Sequence, residues 1–107
     1  MGTVALSEEY YVSVGDVEVM RVDCTDHLGT ESISTVSVTG SSDLTISSVS
    51  VSTEAWTIRG RSAAAGKAAQ ALVSGFVAAT TFTLPWTFVT NGTLPRTFIR
   101  STRVICK

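Results

Sequence analysis

Asp23, Cys24, Asp26, His27 and Glu31 all fall within the stretch DCTDHLGTE (residues 23–31), and His27 is the only histidine in the chain. Carboxylates, a thiol and an imidazole can ligate a metal, or can form a Cys24–His27 pair oriented by a carboxylate. The spacing argues against both. No Cys-x-x-Cys or His-x-x-x-His pair is present, and strand alternation would send Asp23 and Cys24 to opposite faces. A base two or three residues from its nucleophile is poorly placed, and no oxyanion motif accompanies it. Asp26 and Gly29 are turn formers. The stretch therefore reads as the end of a strand entering a turn, with His27 at an exposed tip and Leu28 tucked into the core. No catalytic, cofactor-binding or metal-ligating residue is assigned, and no enzymatic activity is expected.

Two other groups of residues could carry function. Arg59, Arg61, Arg96, Arg100 and Arg103 are the only basic concentration. They read as a solvated face or, if the 55–61 strand and the last strand are neighbours, as a polar surface for protein contact. Trp56 and Trp86 could stack on a sugar or a base, but their alternation with threonine places them with the core. Asn91-Gly92-Thr93 has the form of a glycosylation sequon, yet Asn-Gly between two strands is first of all a hairpin turn.

The elements that must position these residues are strands. In TTFTLPWTFVT (80–90), Phe82, Leu84, Trp86 and Phe88 share one face, and Thr81, Thr83, Pro85 and Thr87 share the other. This period of two predicts a half-buried strand that supplies the centre of the core. Pro85 belongs at an edge, at a bulge, or where its missing N–H points outward. Asn91-Gly92 predicts a type I′ turn into LPRTFIRSTRVIC (94–106), whose apolar residues change phase and suggest a bulge near Ser101. Shorter strands are expected in DVEVMRVDC (16–24), ISTVSVT (33–39), DLTISSVSVS (43–52) and AWTIRGR (55–61). A bulge or sheet switch is expected at Ser47-Ser48, and Trp56 and Ile58 should share a face. SAAAGKAAQALVSG (62–75) admits a helix capped by Ser62 or a strand; Gly66 and the alternation from Lys67 to Ser74 favour the strand. Residues 1–15 are expected to form an arm or an edge strand, and residues 16–107 one domain.

Length and composition agree. The 107 residues suit one domain with a single core. Charged residues make up 16% and the formal net charge is −1, so no basic face for nucleic acid is expected. No apolar stretch nears the roughly 20 residues that cross a bilayer. MGTVALSEEYYVSV lacks the basic and apolar regions of a signal peptide, and Leu6 breaks a myristoylation motif, so neither export nor a membrane partner is expected. Cys24 and Cys106 are then expected as reduced thiols, although a disulfide between them stays open. Turn signals every 8–12 residues or so match an all-β, antiparallel β-sandwich of about seven strands.

The order of these signals resembles a family of short Ig-like virion proteins of tailed bacteriophages, of the fibre–tail adaptor or head-decoration type. The segments that carry the resemblance are VDCTDHLGTESI (22–33), LTISSVSVSTEAWTIRG (44–60), AGKAAQALVSG (65–75), TTFTLPWTFVTNG (80–92) and LPRTFIRSTRVI (94–105). The family often has an aromatic where Cys24 stands, and residues 1–15 have no counterpart in it. The resemblance implies a structural protein of the virion, made in the bacterial host cytoplasm, without cofactors. It would be present in several copies and bound to tail, portal, fibre or capsid subunits. Two roles follow: an adaptor at the tail or neck joining fibres to the tail or portal, and a capsid cement or decoration protein. A carbohydrate- or receptor-binding module is a further alternative, and would expose Trp56 or Trp86. The Ser/Thr-rich faces and low charge suit a protein surrounded by neighbours.

Overall fold

The apolar alternation of residues 80–90 does form the spine of the structure. A computed structural model describes residues 8–107. Their elements are β1 (Glu8–Val12), β2 (Glu18–Asp23), the single helical turn α1 (Thr25–Leu28), β3 (Ile33–Val38), β4 (Thr45–Val51), β5 (Trp56–Ile58), β6 (Arg61–Ala63), β7 (Ala68–Ser74), β8 (Thr80–Thr90) and β9 (Thr97–Cys106). The protein is all-β, in three sheets ordered β1-β9-β8-β3, β2-β7-β4 and the hairpin β5-β6. Nine strands, rather than about seven, lie among the described residues. The sheets are not antiparallel throughout, because β1 runs parallel to β9, pairing Tyr10 with Val104 and Val12 with Cys106. Within the stretch 1–15, for which an arm or an edge strand is expected, residues 8–12 form β1 at the end of the first sheet's order; residues 1–7 lie outside the described residues.

Phe82, Leu84, Trp86 and Phe88 of β8 face the core. They join Met20 and Val22 of β2 and Ala69, Ala71 and Val73 of β7 in one cluster, so the two larger sheets pack face to face. Small alanines on one sheet leave room for large aromatics on the other, which fills the space between them. Full burial of Leu84, Phe88 and Met20 contributes about 1.5–3 kcal/mol for each side chain. Trp86 is also fully buried, and its indole N–H donates to the buried Thr102 hydroxyl at 3.0 Å.

Pro85 lies in a central strand, yet β3 stops pairing with β8 at Val38–Trp86, one residue away. Only the Pro85 carbonyl is used on that side, by Thr39 N–H at 3.2 Å. The missing donor thus falls where no ladder partner waits. The shift at Ser47-Ser48 is a bulge, with register lost between Ser47 and Ser50 and Ser48 at φ 54°. Residues 62–75 are strand, as β6 and β7.

Two expectations about β8 and β9 are corrected. Their register runs unbroken from Thr80–Cys106 to Val89–Thr97, so no bulge occurs near Ser101. Ser101 instead faces outward while Phe98, Thr102 and Val104 turn toward the core. Asn91-Gly92 is not a type I′ turn, since neither residue has a positive φ. A wider loop is closed by Thr90 N–H on the Arg96 carbonyl at 2.9 Å. Tertiary bonds override the local preference here. Asn91 N–H donates to the Ser32 carbonyl at 3.0 Å, and Ser32 N–H donates to Asn91 Oδ1 at 2.9 Å. The two-residue turn with both φ positive is found at Arg59 (51°) and Gly60 (80°), joining β5 to β6.

Candidate functional site

At the end of β2 the chain turns through α1, because Cys24 accepts from the N–H groups of His27 (3.0 Å) and Leu28 (3.2 Å). Asp23 Oδ1 accepts from the Thr25 N–H at 3.0 Å and from its hydroxyl at 2.5 Å, which holds the start of the turn. Leu28 is buried and His27 exposed. The His27 ring nevertheless has a fixed place: it stacks on Phe98 with centroids 5.0 Å apart, and Phe98 stacks on Phe88 at 5.1 Å. Cys24 is fully buried in the core while His27 lies outside it. Among the described residues, no three of His, Cys, Asp and Glu group to hold a metal ion. Cys24 and Cys106 are both buried and are not joined in a disulfide.

The polar residues of this stretch are tied to partners distant in sequence. Arg96 donates through Nε and Nη2 to Glu31 Oε1 at 2.9 and 2.7 Å, and through Nη2 to the His27 carbonyl at 2.9 Å. Arg61 pairs with Asp26 at 3.4 Å. That hydrogen bond, together with the Arg61 charge, holds the Asp26 carboxyl below the usual carboxylate range and pushes Arg61 further up. Arg100 Nη1 donates to the Asp23 carbonyl at 2.9 Å. Lys67 Nζ donates to the carbonyls of Gly29 and Glu31. What the arrangement does is brace a turn against the rest of the fold.

Of the five arginines expected to share a surface, three converge. Arg59, Arg61 and Arg100 line a small hollow of about 140 Å3 with Asp23, Asp26 and Ile58. The β5–β6 hairpin therefore does lie near β9. Arg96 is engaged with Glu31, and Arg103 pairs with Glu9 at 3.5 Å. Trp86 is core, as its alternation predicts. Trp56 is half-buried with Ile58, Ala63 and Ala68, and the Arg21 guanidinium lies 4.5 Å from the centre of its ring.

A second feature adjoins this hollow. An open groove of about 490 Å3 runs where β1 and β2, the rims of the two larger sheets, face each other. Tyr10 spans the gap: its hydroxyl donates to the Arg21 carbonyl at 3.0 Å and accepts from the Arg21 N–H at 2.9 Å. Arg59 Nη2 donates to the Glu9 carbonyl at 2.7 Å, and its guanidinium sits 5.1 Å from the Tyr10 ring centre. The groove residues Tyr10, Tyr11, Val19 and Arg21 were not singled out from sequence. The available signal was the alternation of Glu9 and Tyr11 with Tyr10 and Val12, which marks a strand; nothing local shows which sheet it joins.

Set beside known proteins, the chain matches no family model, no curated protein and no solved structure.

Proposed function

We propose that this chain is a non-enzymatic structural protein of a tailed-bacteriophage virion, built as an Ig-like β-sandwich. Its role in this reading is an adaptor at the tail or neck that joins fibres to the tail or portal. The setting is supported by the resemblance of residues of about 16–105 to short Ig-like virion proteins. The contact-making role is supported by one structural observation: the β1–β2 groove, where aromatic and arginine side chains surround strand-edge backbone. Tyrosine, tryptophan and arginine are the residues that dominate binding energy in protein interfaces. The other virion role, capsid cement, uses the same kind of contact.

A carbohydrate-binding role loses ground, because Trp86 is buried and the face of Trp56 carries Arg21. Quantitative mass spectrometry of purified particles tests the proposal. A copy number on the order of tens or fewer fits a symmetric ring of adaptors. Hundreds of copies would move the chain to the capsid shell, and its absence from particles would overturn the reading.

A further inference from the structure

The β1–β2 groove has one open backbone position on each rim as well as unneutralised charge. In a strand, the N–H and C=O of one residue point to the same edge, and the next residue points to the other. Glu9 offers its carbonyl to Arg59, away from β9. Tyr11, two residues on, turns its backbone groups the same way. Arg21 gives both backbone groups to Tyr10 at the edge of β2 away from β7, and Val19, two residues back, faces that edge too. No side chain or loop backbone among the described residues bonds the Tyr11 or Val19 backbone. Their side chains are also exposed, at 70% and 50%. Unpaired strand edges of this kind accept an added strand.

Apart from Glu9, the charged residues of the groove are arginines. Arg21 lies on Trp56 and donates to Gln70 Oε1 at 3.3 Å, while Arg59 lies on Tyr10 and donates to a carbonyl. Among the described residues neither arginine is in an ion pair. Glu9, the acidic residue of the groove, is already paired with Arg103. Arg59 moreover occupies a left-handed backbone conformation at φ 51°, a costly position for a residue other than glycine. Held there, its guanidinium lies over the Tyr10 ring and on the Glu9 carbonyl.

We infer that the groove receives an extended acidic segment of a partner protein, by strand addition at Tyr11 or Val19 with carboxylates on Arg59 and Arg21. Side chains alternate across a strand. A guest that alternates Glu with Val or Thr can therefore set its carboxylates on the arginines and its apolar groups on Val19 and Ile58. The inference rests on the reading of the chain as a contact-making structural part.

The test is amide-shift titration of the 15N-labelled full chain with a blocked heptapeptide alternating Glu with Val and Thr. The same peptide with Lys in place of Glu is the control. The expected result is saturable shifts at Tyr11, Val19 and Arg59 with the Glu peptide only, weakening as salt is raised. Arg59→Gly, which suits the turn, should weaken binding about tenfold, the loss of one charge-assisted contact. Equal response to the Lys peptide, or shifts confined to β3 and β4, would overturn the inference. So would absence of saturation, or a dimer formed through these residues without peptide. Particle stoichiometry does not depend on this groove, so the structural-protein reading stands or falls separately.

Discussion

The hydroxyl of Tyr10, in β1 of one sheet, satisfies both backbone groups of Arg21, in β2 of the other. One side chain thus replaces a missing ladder partner at an exposed strand edge. Arg100 does the same for the next outward-facing carbonyl on that edge, at Asp23. An open edge is a liability for aggregation, and these two side chains cover it at Arg21 and Asp23 while leaving Val19 open.

Tyr10→Phe keeps the ring and removes that closure. The Arg21 N–H and C=O are then left in a half-buried setting, at a cost of about 1–2 kcal/mol. Urea unfolding should show a lower midpoint with unchanged slope. A midpoint equal to that of the parent protein would mean that water takes over the hydroxyl's bonds.

Thr102 accepts the Trp86 indole proton where both are fully buried. Thr102→Val preserves shape but strands that donor, and should cost about 1–3 kcal/mol. Thr102→Ser keeps the acceptor and loses one methyl, about 0.8 kcal/mol. Paired denaturation curves decide the order, and a valine variant as stable as the serine variant would refute the role of the hydrogen bond.

Gly92 sits against the end of the Glu31 side chain. A Cβ built there collides with the Glu31 carboxylate that Arg96 holds. Gly92→Ala should push Glu31 off Arg96 and destabilise by up to about 1 kcal/mol, the worth of a partly exposed ion pair. Adding Glu31→Ala should restore part of the loss, so that the double mutant is less unstable than the sum of the singles. Strict additivity would show that the backbone at Gly92, and not Glu31, sets the cost.

Asp26 and Arg61 make a pH-dependent contact. The Asp26 carboxyl titrates below its unfolded value because of Arg61. Its stabilising effect is thus complete above the ordinary carboxylate range and is lost as pH falls through the lowered value. In an NMR titration, Arg61→Ala should move the Asp26 midpoint upward, as should added salt. An unmoved midpoint would assign the depression to another group.

Much of this architecture was legible in the residues themselves. Alternation marked β8 and its inward aromatics, the phase change at Ser47-Ser48 marked a bulge, and Gly66 weighed correctly against a helix over 62–75. These features are local: side-chain period and backbone freedom act within a few residues, so they leave a signature in the sequence. The same reasoning reads DCTDHLGTE as a strand end entering a turn, and the chain there forms the end of β2 and the single turn α1, with Leu28 inside and His27 outside.

Partnership was decided by tertiary structure. Asn91-Gly92 has the local chemistry of a tight turn, but reciprocal bonds to Ser32 draw it into a wider loop. Arg59-Gly60 makes the two-residue turn instead. The parallel pairing of β1 with β9 and the meeting of Arg96 with Glu31 join residues far apart along the chain. So does the groove, which brings Arg59 onto the Glu9 carbonyl. Residue type and spacing determined which segments are strands and which faces they bury. Only packing of the two sheets decided which edges meet, because hydrogen bonds and charges at a rim depend on three-dimensional neighbours that no local period encodes.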